Sequence, residues 1–170
     1  NSYLPRSAVS VAEVLKQSGY STFCTGKWHL TPSAEITAAG PFERWPLGLG
    51  FERFYGFLGG EVDQWHPMLV ADNHRIPTPE REGYHLSEDL VDQAIGMVRD
   101  QQQIATGRPF FAYLPFGAPH CPFHAPASFI EHYRGRFDGG WDVERERTFA
   151  RQKALGIVPA DTDLAPRNAI

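Results

Sequence analysis

Segments with regular apolar spacing alternate along this chain with long segments that lack it. The Ser-x-x-Glu sequence at residues 10–13 has the form of a capping box and predicts the start of a helix that ends near Gly19. Three apolar residues form its predicted stripe: Val11, Val14 and Leu15. Residues 20–26 are rich in aromatic and β-favouring side chains and predict a strand. A helix, a glycine and a strand in this order are typical of α/β domains.

The regular spacing is lost between residues 31 and 79. Glycine and proline recur there, together with seven aromatic residues. Turn-forming residues at this density exclude long regular elements, while the aromatic residues argue against disorder. We therefore expect a long ordered loop region with one short strand near residues 53–57. Ordered loops of this length usually have a function.

Regular patterns return in the second half of the chain. Ser87 is the predicted N-cap of a helix with a single apolar face, and residues 109–116 form an unbroken apolar run. Such a run is expected of a strand buried on both faces of a central sheet. Two further helices are predicted over residues 126–133 and 142–155, the second highly charged and therefore largely solvated. The apolar face of the first of these three helices comprises Leu90, Val91, Ala94, Ile95 and Val98.

The composition argues against several classes of binding partner. A net charge of −4 argues against a surface for nucleic acid or anionic membranes. No apolar run approaches the roughly 18 residues that a membrane helix needs. Cys24 and Cys121 lack zinc-site spacing, and we expect both to be reduced and buried. Because the chain begins at Asn1 rather than Met, we expect an internal piece of a longer polypeptide, and its compartment is not indicated.

The most informative segment is Gly26-Lys27-Trp28-His29-Leu30, at the end of the first predicted strand. In a strand, residues i and i+2 point the same way and residue i+1 points to the opposite face. Lys27 and His29 would then face one spot while Trp28 anchors in the core. A lysine beside a histidine in apolar surroundings suits an anionic ligand. The alternative is a plain strand end, with Lys27 reaching into water and His29 capping a turn.

The second apolar strand also ends at histidines. His120 and His124 follow it, and Pro119 and Pro122 stiffen that loop. In open α/β sheets, ligands bind beyond the carboxyl ends of the strands, so both segments are expected at one edge. A fixed cation stabilises charge on sulfuryl or phosphoryl oxygens, and two imidazoles can serve as general base and general acid. The pattern therefore indicates transfer of an oxyanion group.

The chain resembles the sulfatase family, in the arylsulfatase branch of the alkaline-phosphatase-like superfamily. The resemblance implies an α/β fold, part of a three-layer sandwich with a central, mostly parallel sheet and a long loop insertion rich in aromatic residues, Gly and Pro. It spans nearly the whole chain in the family's order. The matching stretches are residues 12–22, Gly26-Lys27-Trp28-His29-Leu30, residues 54–61, 84–90, 109–120 and 140–153.

This resemblance implies roles for three residues in hydrolysis of a small sulfate ester. Lys27 would bind a sulfate oxygen and the family's nucleophile, formylglycine. His29 would hydrogen-bond that nucleophile and act as the base that expels sulfate. His120 would contact the sulfate and help to protonate the departing alcohol or phenol. His124 matches a less uniform position.

Two parts of the family's site have no match in the sequence. Formylglycine arises from Cys or Ser in a Cys/Ser-x-Pro/Ala-x-Arg motif, which Cys24, Cys121 and Ser2 all fail to provide. The aspartates and the Asp-Asn pair that hold Ca²⁺ in the family are also missing, and Asp72-Asn73 lacks the preceding hydrophobic strand. We therefore expect residues 1–170 to be an internal part of a catalytic domain, with the remainder of the parent chain as partner and no activity alone.

Two alternatives stay open. The parent protein could act on phosphate or phosphonate esters, because these groups are also tetrahedral oxyanions. The chain could instead be a non-enzymatic metal-binding module that uses His120, Cys121 and His124, although no second ligand pair has recognisable spacing. The loop at residues 59–64 could line a substrate entrance or be a tight turn, since it lacks the residues of a P-loop.

Overall fold

The computed structural model describes residues 3–5 and 7–168. The chain divides into two units, residues 1–124 and residues 125–170. Seven helices and strands form the first unit, joined by loops that contain short 3₁₀ turns at Ser33–Glu35 and Leu47–Leu49. These are α1 (Val11–Gln17), β1 (Ser21–Lys27), β2 (Arg53–Phe57), β3 (Leu69–Ala71), β4 (His74–Ile76), α2 (Leu86–Ile104) and β5 (Phe110–Tyr113).

The five strands form one sheet in the order β4-β3-β2-β1-β5. Strand β1 pairs in parallel with both β2 and β5, whereas β2-β3 and β3-β4 are antiparallel. The predicted α/β fold with a central, mostly parallel sheet is therefore confirmed. Because β2, β1 and β5 run in the same direction, the loops that follow them leave from a single edge of the sheet.

A helix or an aromatic loop covers each face of the sheet, so the unit has three layers. Successive residues of β1 point to opposite faces, with Phe23 in one core and Cys24 in the other. Helix α2 covers the first face through Leu86, Leu90 and Met97. The second face packs against Ala12 of α1 and against the long loop, whose buried side chains there include Trp45 and Phe51.

A buried carboxylate fixes α2 to the sheet. The Tyr55 hydroxyl of β2 donates to Asp89 Oδ2 at 2.6 Å, and the Tyr84 hydroxyl donates to the same oxygen at 2.9 Å. Burial, reinforced by the bond to Asp89, raises the pKa of both tyrosines. The aromatic residues of the loop region are thus part of the core, as their density predicts.

The strands approach most closely at two facing glycines. Gly26 of β1 is in register with Gly56 of β2. A Cβ atom at Gly26 would overlap the carbonyl oxygen of Pro115, and one at Gly56 would overlap the carbonyl oxygen of Gly26. Since both obstacles are backbone atoms, neither can be relieved by a side-chain rotation. Only glycine allows the three chain segments to lie this close just before the end of the sheet.

Most predicted element positions are confirmed, with two differences at helices. The N-cap of α1 is Ser10, whose side chain accepts a hydrogen bond from Glu13 N at 3.0 Å, as the capping box predicts. Its predicted stripe is wrong, because Val11 and Val14 are exposed and the small Ala12 makes the contact. The predicted cap of α2 is also wrong. His85 precedes the helix in an extended conformation, and its Nδ1 accepts a hydrogen bond from Ser87 N.

The sheet differs from expectation in two further respects. Strand β5 lies at an edge rather than in the centre, so Phe110 is 40% and Tyr113 45% exposed. The reason is that β5 has one strand neighbour, β1, within the described part of the chain. The long loop contains one short antiparallel hairpin, β3-β4, in addition to the predicted strand at residues 53–57. Both cysteines are free as expected, but Cys121 is exposed rather than buried.

The second unit is helical, with α3 (Ala127–His132) and α4 (Gly140–Ala154) close to their predicted bounds. Neither helix has a buried residue, which confirms the largely solvated character expected of α4. In the described residues of both units, no helix is apolar and long enough to span a bilayer.

We predict that Gly26→Ala destabilises the fold by about 3 kcal/mol or more, because the new methyl group must displace the Pro115 backbone. Gly96→Ala is the matched control. A Cβ at Gly96 meets nothing within 4 Å, so alanine should be neutral or stabilise α2 by up to about 1 kcal/mol. Urea unfolding followed by tryptophan fluorescence measures both. Equal free energies of unfolding for Gly26→Ala and Gly96→Ala would contradict the close approach of Gly26 to the Pro115 backbone.

Candidate active site

The three loops that follow the parallel strands meet at one edge of the sheet. Backbone hydrogen bonds continue past the end of β1: Lys27 N donates to Pro115 O at 2.8 Å and Trp28 N donates to Phe57 O at 2.9 Å. The loop after β2 and the loop after β5 are also joined, since Gln64 N donates to His124 Nδ1 at 3.4 Å. The segments with the predicted site residues therefore lie next to each other.

Lys27 is the last residue of β1 and is half-buried. Its backbone lies between the chain segments that follow β2 and β5. No carboxylate among residues 3–5 and 7–168 lies within ion-pair distance of its ammonium group. Half-burial without a neutralising carboxylate leaves a cation that is available to bind an anion.

Trp28 lies where strand alternation predicts, but His29 does not. Trp28 is buried in the core as expected, and its indole N–H donates to Arg44 O at 3.0 Å. The strand ends at Lys27, however, and His29 has a φ of 54°, so the i, i+2 rule does not apply to this pair. The exposed His29 is held instead by its backbone N–H, which donates to Leu58 O at 3.1 Å.

The His29 ring lies against Gly60 in the loop after β2. A Cβ atom at Gly60 would lie 2.6 Å from the ring carbon Cε1 and 2.8 Å from Nε2, so any side chain there would push the ring away. A histidine in the left-handed region is uncommon and mildly strained. Strained backbone of this kind is concentrated at functional sites. The glycine of this loop thus makes room for one of the predicted site residues.

His120 forms a compact group with Glu61 and Cys121. Its Nδ1 lies 3.5 Å from Glu61 Oε2 and 3.4 Å from Cys121 Sγ, and Sγ lies 2.9 Å from the same Glu61 oxygen. The Cys121 carbonyl oxygen is also 3.2 Å from His120 Nδ1. The side chains of His120 and Glu61 are 50% and 60% exposed. The ring is therefore held on its Nδ1 side while the group stays open to solvent.

The two cysteines differ in their thiol chemistry. The hydrogen bond to Glu61 is the main cause that raises the pKa of the Cys121 thiol; desolvation and the Glu61 charge raise it further, and the charge of Lys27 lowers it. The charge of Lys27 therefore reaches the neighbourhood of His120. Burial raises the pKa of the Cys24 thiol to about 12, so this thiol is inert in the folded chain.

His124 takes part in a structural contact between the loops. Its Nδ1 accepts from Gln64 N and lies 3.6 Å from Asp63 Oδ1, and its ring stacks on Trp65 at a centroid distance of 6.3 Å. The edge of Trp65 meets the buried His85 on the other side. These contacts account for His124 without a bound ligand. In contrast, the Lys27 ammonium group, the His29 ring and His120 Nε2 have no hydrogen-bond or ion-pair partner among residues 3–5 and 7–168.

The described residues do not fit a calcium site. Ca²⁺ takes six to eight oxygen ligands. Within residues 3–5 and 7–168, the group of His, Cys, Asp and Glu side chains close enough to hold an ion is Glu61, His120 and Cys121, which offers one oxygen, one nitrogen and one sulfur. Asp72, rejected as a calcium ligand from the sequence, accepts a hydrogen bond from Phe54 N. Ser2 of the rejected nucleophile match lies outside the described residues.

The family model for sulfatases matches residues 1–164, and the chain belongs to the sulfatase family. An arylsulfatase of Klebsiella aerogenes is 32% identical over 168 residues, which cover 91% of this chain and 33% of that protein. An uncharacterized sulfatase of Schizosaccharomyces pombe is 30% identical, with coverages of 96% and 30%. The chain thus spans about a third of the length of these curated relatives.

Solved structures show the same fold. The crystal structure of Ps i-CgsB has a TM-score of 0.66 and 22% identity, covering 79% of this chain and 32% of that chain. BT4656, solved in complex with its substrate D-glucosamine-2-N,6-O-disulfate, has a TM-score of 0.55 and 21% identity, with coverages of 78% and 23%. The fold is that of the alkaline-phosphatase-like sulfatases.

The sequence reasoning missed Glu61 as a partner of His120. Glu61 follows two glycines in a loop without periodicity, and no spacing rule connects it to a residue 59 positions later. The spacing of His120, Cys121 and His124 suggests one group, but His124 belongs to a different contact in the structure. Only the return of both loops to one edge of the sheet brings this group together.

We predict that Glu61→Gln accelerates alkylation of Cys121 by iodoacetamide several-fold near pH 7. Removing the carboxylate charge lowers the thiol pKa, so more thiolate is present below that pKa, whereas the difference vanishes at a pH above both pKa values. Mass spectrometry of the labelled chain measures the rate. Glu82→Gln, in an exposed turn, is the control and should change nothing. An unchanged or slower alkylation rate in Glu61→Gln would contradict the hydrogen bond between the Cys121 thiol and Glu61.

Proposed function

We propose that this chain is an internal part of the catalytic domain of a sulfuric-ester hydrolase, and that it supplies the sulfate-binding cation and two imidazoles of the active site. The observation that carries the proposal is the placement of Lys27, His29 and His120. Lys27 ends β1, His29 follows β1 and His120 follows the adjacent parallel strand β5, at one edge of the sheet, in a chain of the sulfatase family. The arylsulfatase relative supports sulfate esters as the substrate class.

Lys27 binds the sulfate group in this proposal. Its ammonium group is half-buried and has no carboxylate within ion-pair distance among the described residues. An unneutralised cation at the edge of an apolar core attracts a tetrahedral anion more strongly than a solvated one would. The same charge stabilises the negative charge that develops on the sulfuryl oxygens in the transition state.

His29 acts as the base of the reaction. Its backbone is fixed in the left-handed region by the bond to Leu58 O, and its ring rests on Gly60. Since the ring is exposed to the same edge of the sheet as Lys27, it can take a proton during departure of sulfate. Proton transfer by a positioned side chain of this kind contributes about 10²–10⁴-fold to the rate.

His120 acts as the acid that protonates the leaving oxygen. Its Nδ1 lies 3.5 Å from Glu61 Oε2, and this contact orients the ring. The proton on Nε2 is then the one available to the departing alcohol or phenol. In this proposal Glu61 positions the His120 ring and takes no part in the proton transfer itself.

The groove beside Glu61 is a suitable place for the organic part of the ester. Its volume is about 420 Å³, and it runs between the loop after β2 and the β3-β4 hairpin. Apolar side chains such as Val62, Met68 and Ile76 line it, and Glu61 is also among its lining residues. Since Glu61 contacts His120, a substrate with its sulfate near Lys27 would place its leaving group towards this groove.

The remainder of a longer protein supplies the nucleophile and the calcium site. The sequence has no match for either, and the chain spans about a third of its relatives. The exposed apolar side chains of strand β5, Phe110 and Tyr113, support this arrangement, because they offer a surface for further parts of the domain. The calcium ion and formylglycine of the family are therefore assigned to segments outside this chain.

We predict that Lys27→Met and His29→Ala, each introduced into the full-length protein, lower kcat/KM for an aryl sulfate by about 10²-fold or more. Neither change should alter the circular dichroism spectrum. The controls are Lys16→Met on the exposed side of α1 and His74→Ala on the exposed strand β4, which should keep near-normal rates.

The same assay with an aryl phosphate distinguishes the substrate class. Preference for the sulfate supports the proposal, while preference for the phosphate would assign the site to phosphate esters. The 170-residue chain alone should turn over neither ester. Wild-type rates in Lys27→Met would contradict the role of the cation.

We further predict that His120→Ala lowers the rate most for sulfates with poorly acidic leaving groups. Such groups need a proton as they depart, whereas an acidic phenol leaves without one. The measurement is kcat/KM across a series of substituted phenyl and alkyl sulfates. Equal losses across the series would show that His120 has no acid role, even if the variant is less active overall.

A further inference from the structure

Glu61, His120 and Cys121 have the geometry of a binding site for a soft divalent metal ion, separate from the calcium site of the family. Their nearest polar atoms form a triangle with edges of 2.9 Å for Sγ–Oε2, 3.4 Å for Sγ–Nδ1 and 3.5 Å for Nδ1–Oε2. Tetrahedral zinc with bonds of about 2.0–2.3 Å holds its ligand atoms roughly 3.3–3.7 Å apart. An ion above this triangle therefore reaches all three atoms with small side-chain movements.

The type of ligand selects the ion. One thiol sulfur, one imidazole nitrogen and one carboxylate oxygen are a typical set for Zn²⁺ and disfavour the oxygen-seeking Ca²⁺ and Mg²⁺. All three residues are exposed, so an ion can enter from solvent and a water molecule can complete the tetrahedron. The Sγ–H now donates to Glu61 Oε2, and the metal would take the place of that proton between the two atoms.

We propose that Glu61, His120 and Cys121 bind one Zn²⁺-like ion at the edge of the sheet. Binding keeps His120 in the tautomer with the proton on Nε2 and occupies Nδ1, so the ring can no longer become positively charged. Zinc would therefore inhibit the sulfuric-ester hydrolysis proposed above. This consequence rests on the proposed function, whereas the binding itself does not.

Co²⁺ is a suitable spectroscopic probe for the site. We expect the 170-residue chain to bind one equivalent of Co²⁺ with a thiolate-to-metal charge-transfer band and the intense visible bands of a tetrahedral complex. Zn²⁺ should displace the cobalt, and millimolar Ca²⁺ should not. Release of the bands by Ca²⁺ would overturn the assignment of a soft site.

Variants test the ligands one at a time. Cys121→Ser should abolish the charge-transfer band, and Glu61→Gln should lower the affinity by at least about tenfold, since changes in the outer shell of metal sites already cost 10–100-fold. Cys24→Ala is the matched control and should keep the band, because the Cys24 thiol is buried and protonated. A band that survives in Cys121→Ser, or no band in the folded wild-type chain, would overturn the proposal.

Activity of the full-length protein separates this inference from the proposed function. With each enzyme compared with its own zinc-free rate, Cys121→Ser should need at least about tenfold more Zn²⁺ for half-inhibition than the wild type. If the chain binds cobalt but the full-length protein has no sulfatase activity, the metal site is supported and the proposed function is contradicted. If Zn²⁺ inhibits the wild type and Cys121→Ser equally and no charge-transfer band appears, the metal site is contradicted and the proposed function is not affected.

Discussion

The close approach of three backbone segments at Gly26, Gly56 and Pro115 is the constraint on which the rest of the structure depends. Each glycine lacks the atom that would separate its strand from the next segment. Lys27 N can therefore bond to Pro115 O, and Lys27 itself lies beside Phe57 in the register of β1 with β2. The parallel direction of the three strands brings their loops to one edge, and the glycines let the backbones lie close together there. The glycines thus determine the close backbone packing next to Lys27.

The convergence creates a mixed electrostatic surface at the end of the sheet. Lys27, which has no carboxylate partner in the described part of the chain, lies at the same edge of the sheet as His29 and His120, and Glu61 contacts only His120. The two imidazoles therefore have different surroundings: His120 contacts Glu61, whereas His29 is held by a backbone bond and by packing on Gly60. The proposed acid and the proposed base thus differ in their neighbours.

Local patterns were sufficient to predict the elements that depend on local forces. The capping serine of α1, strand β1 and the two helices of the second unit all appear within a few residues of their predicted positions. Features that depend on distant residues were not predictable. The edge position of β5 is set by which strands pair with it, and the cap of α2 is His85 because its ring bonds locally while packing on Trp65. Similarly, the meeting of Glu61 with His120 and Cys121 is a product of topology, which spacing along the chain does not encode.

The geometry of Lys27 and His29 differs from the one predicted by strand alternation. Strand alternation led to the hypothesis that both residues face one spot, yet β1 ends at Lys27 and His29 turns into the left-handed region. The two residues reach the same edge because the chain bends there. Their proposed roles therefore depend on whether both side chains can contact the same anion.

A crystal structure of the full-length protein with bound inorganic sulfate tests this account most directly. We predict one sulfate ion with oxygens at hydrogen-bond distance, about 2.7–3.2 Å, from Lys27 Nζ and from a ring nitrogen of both His29 and His120. A sulfate bound elsewhere, with these three side chains directed away from any common point, would contradict it.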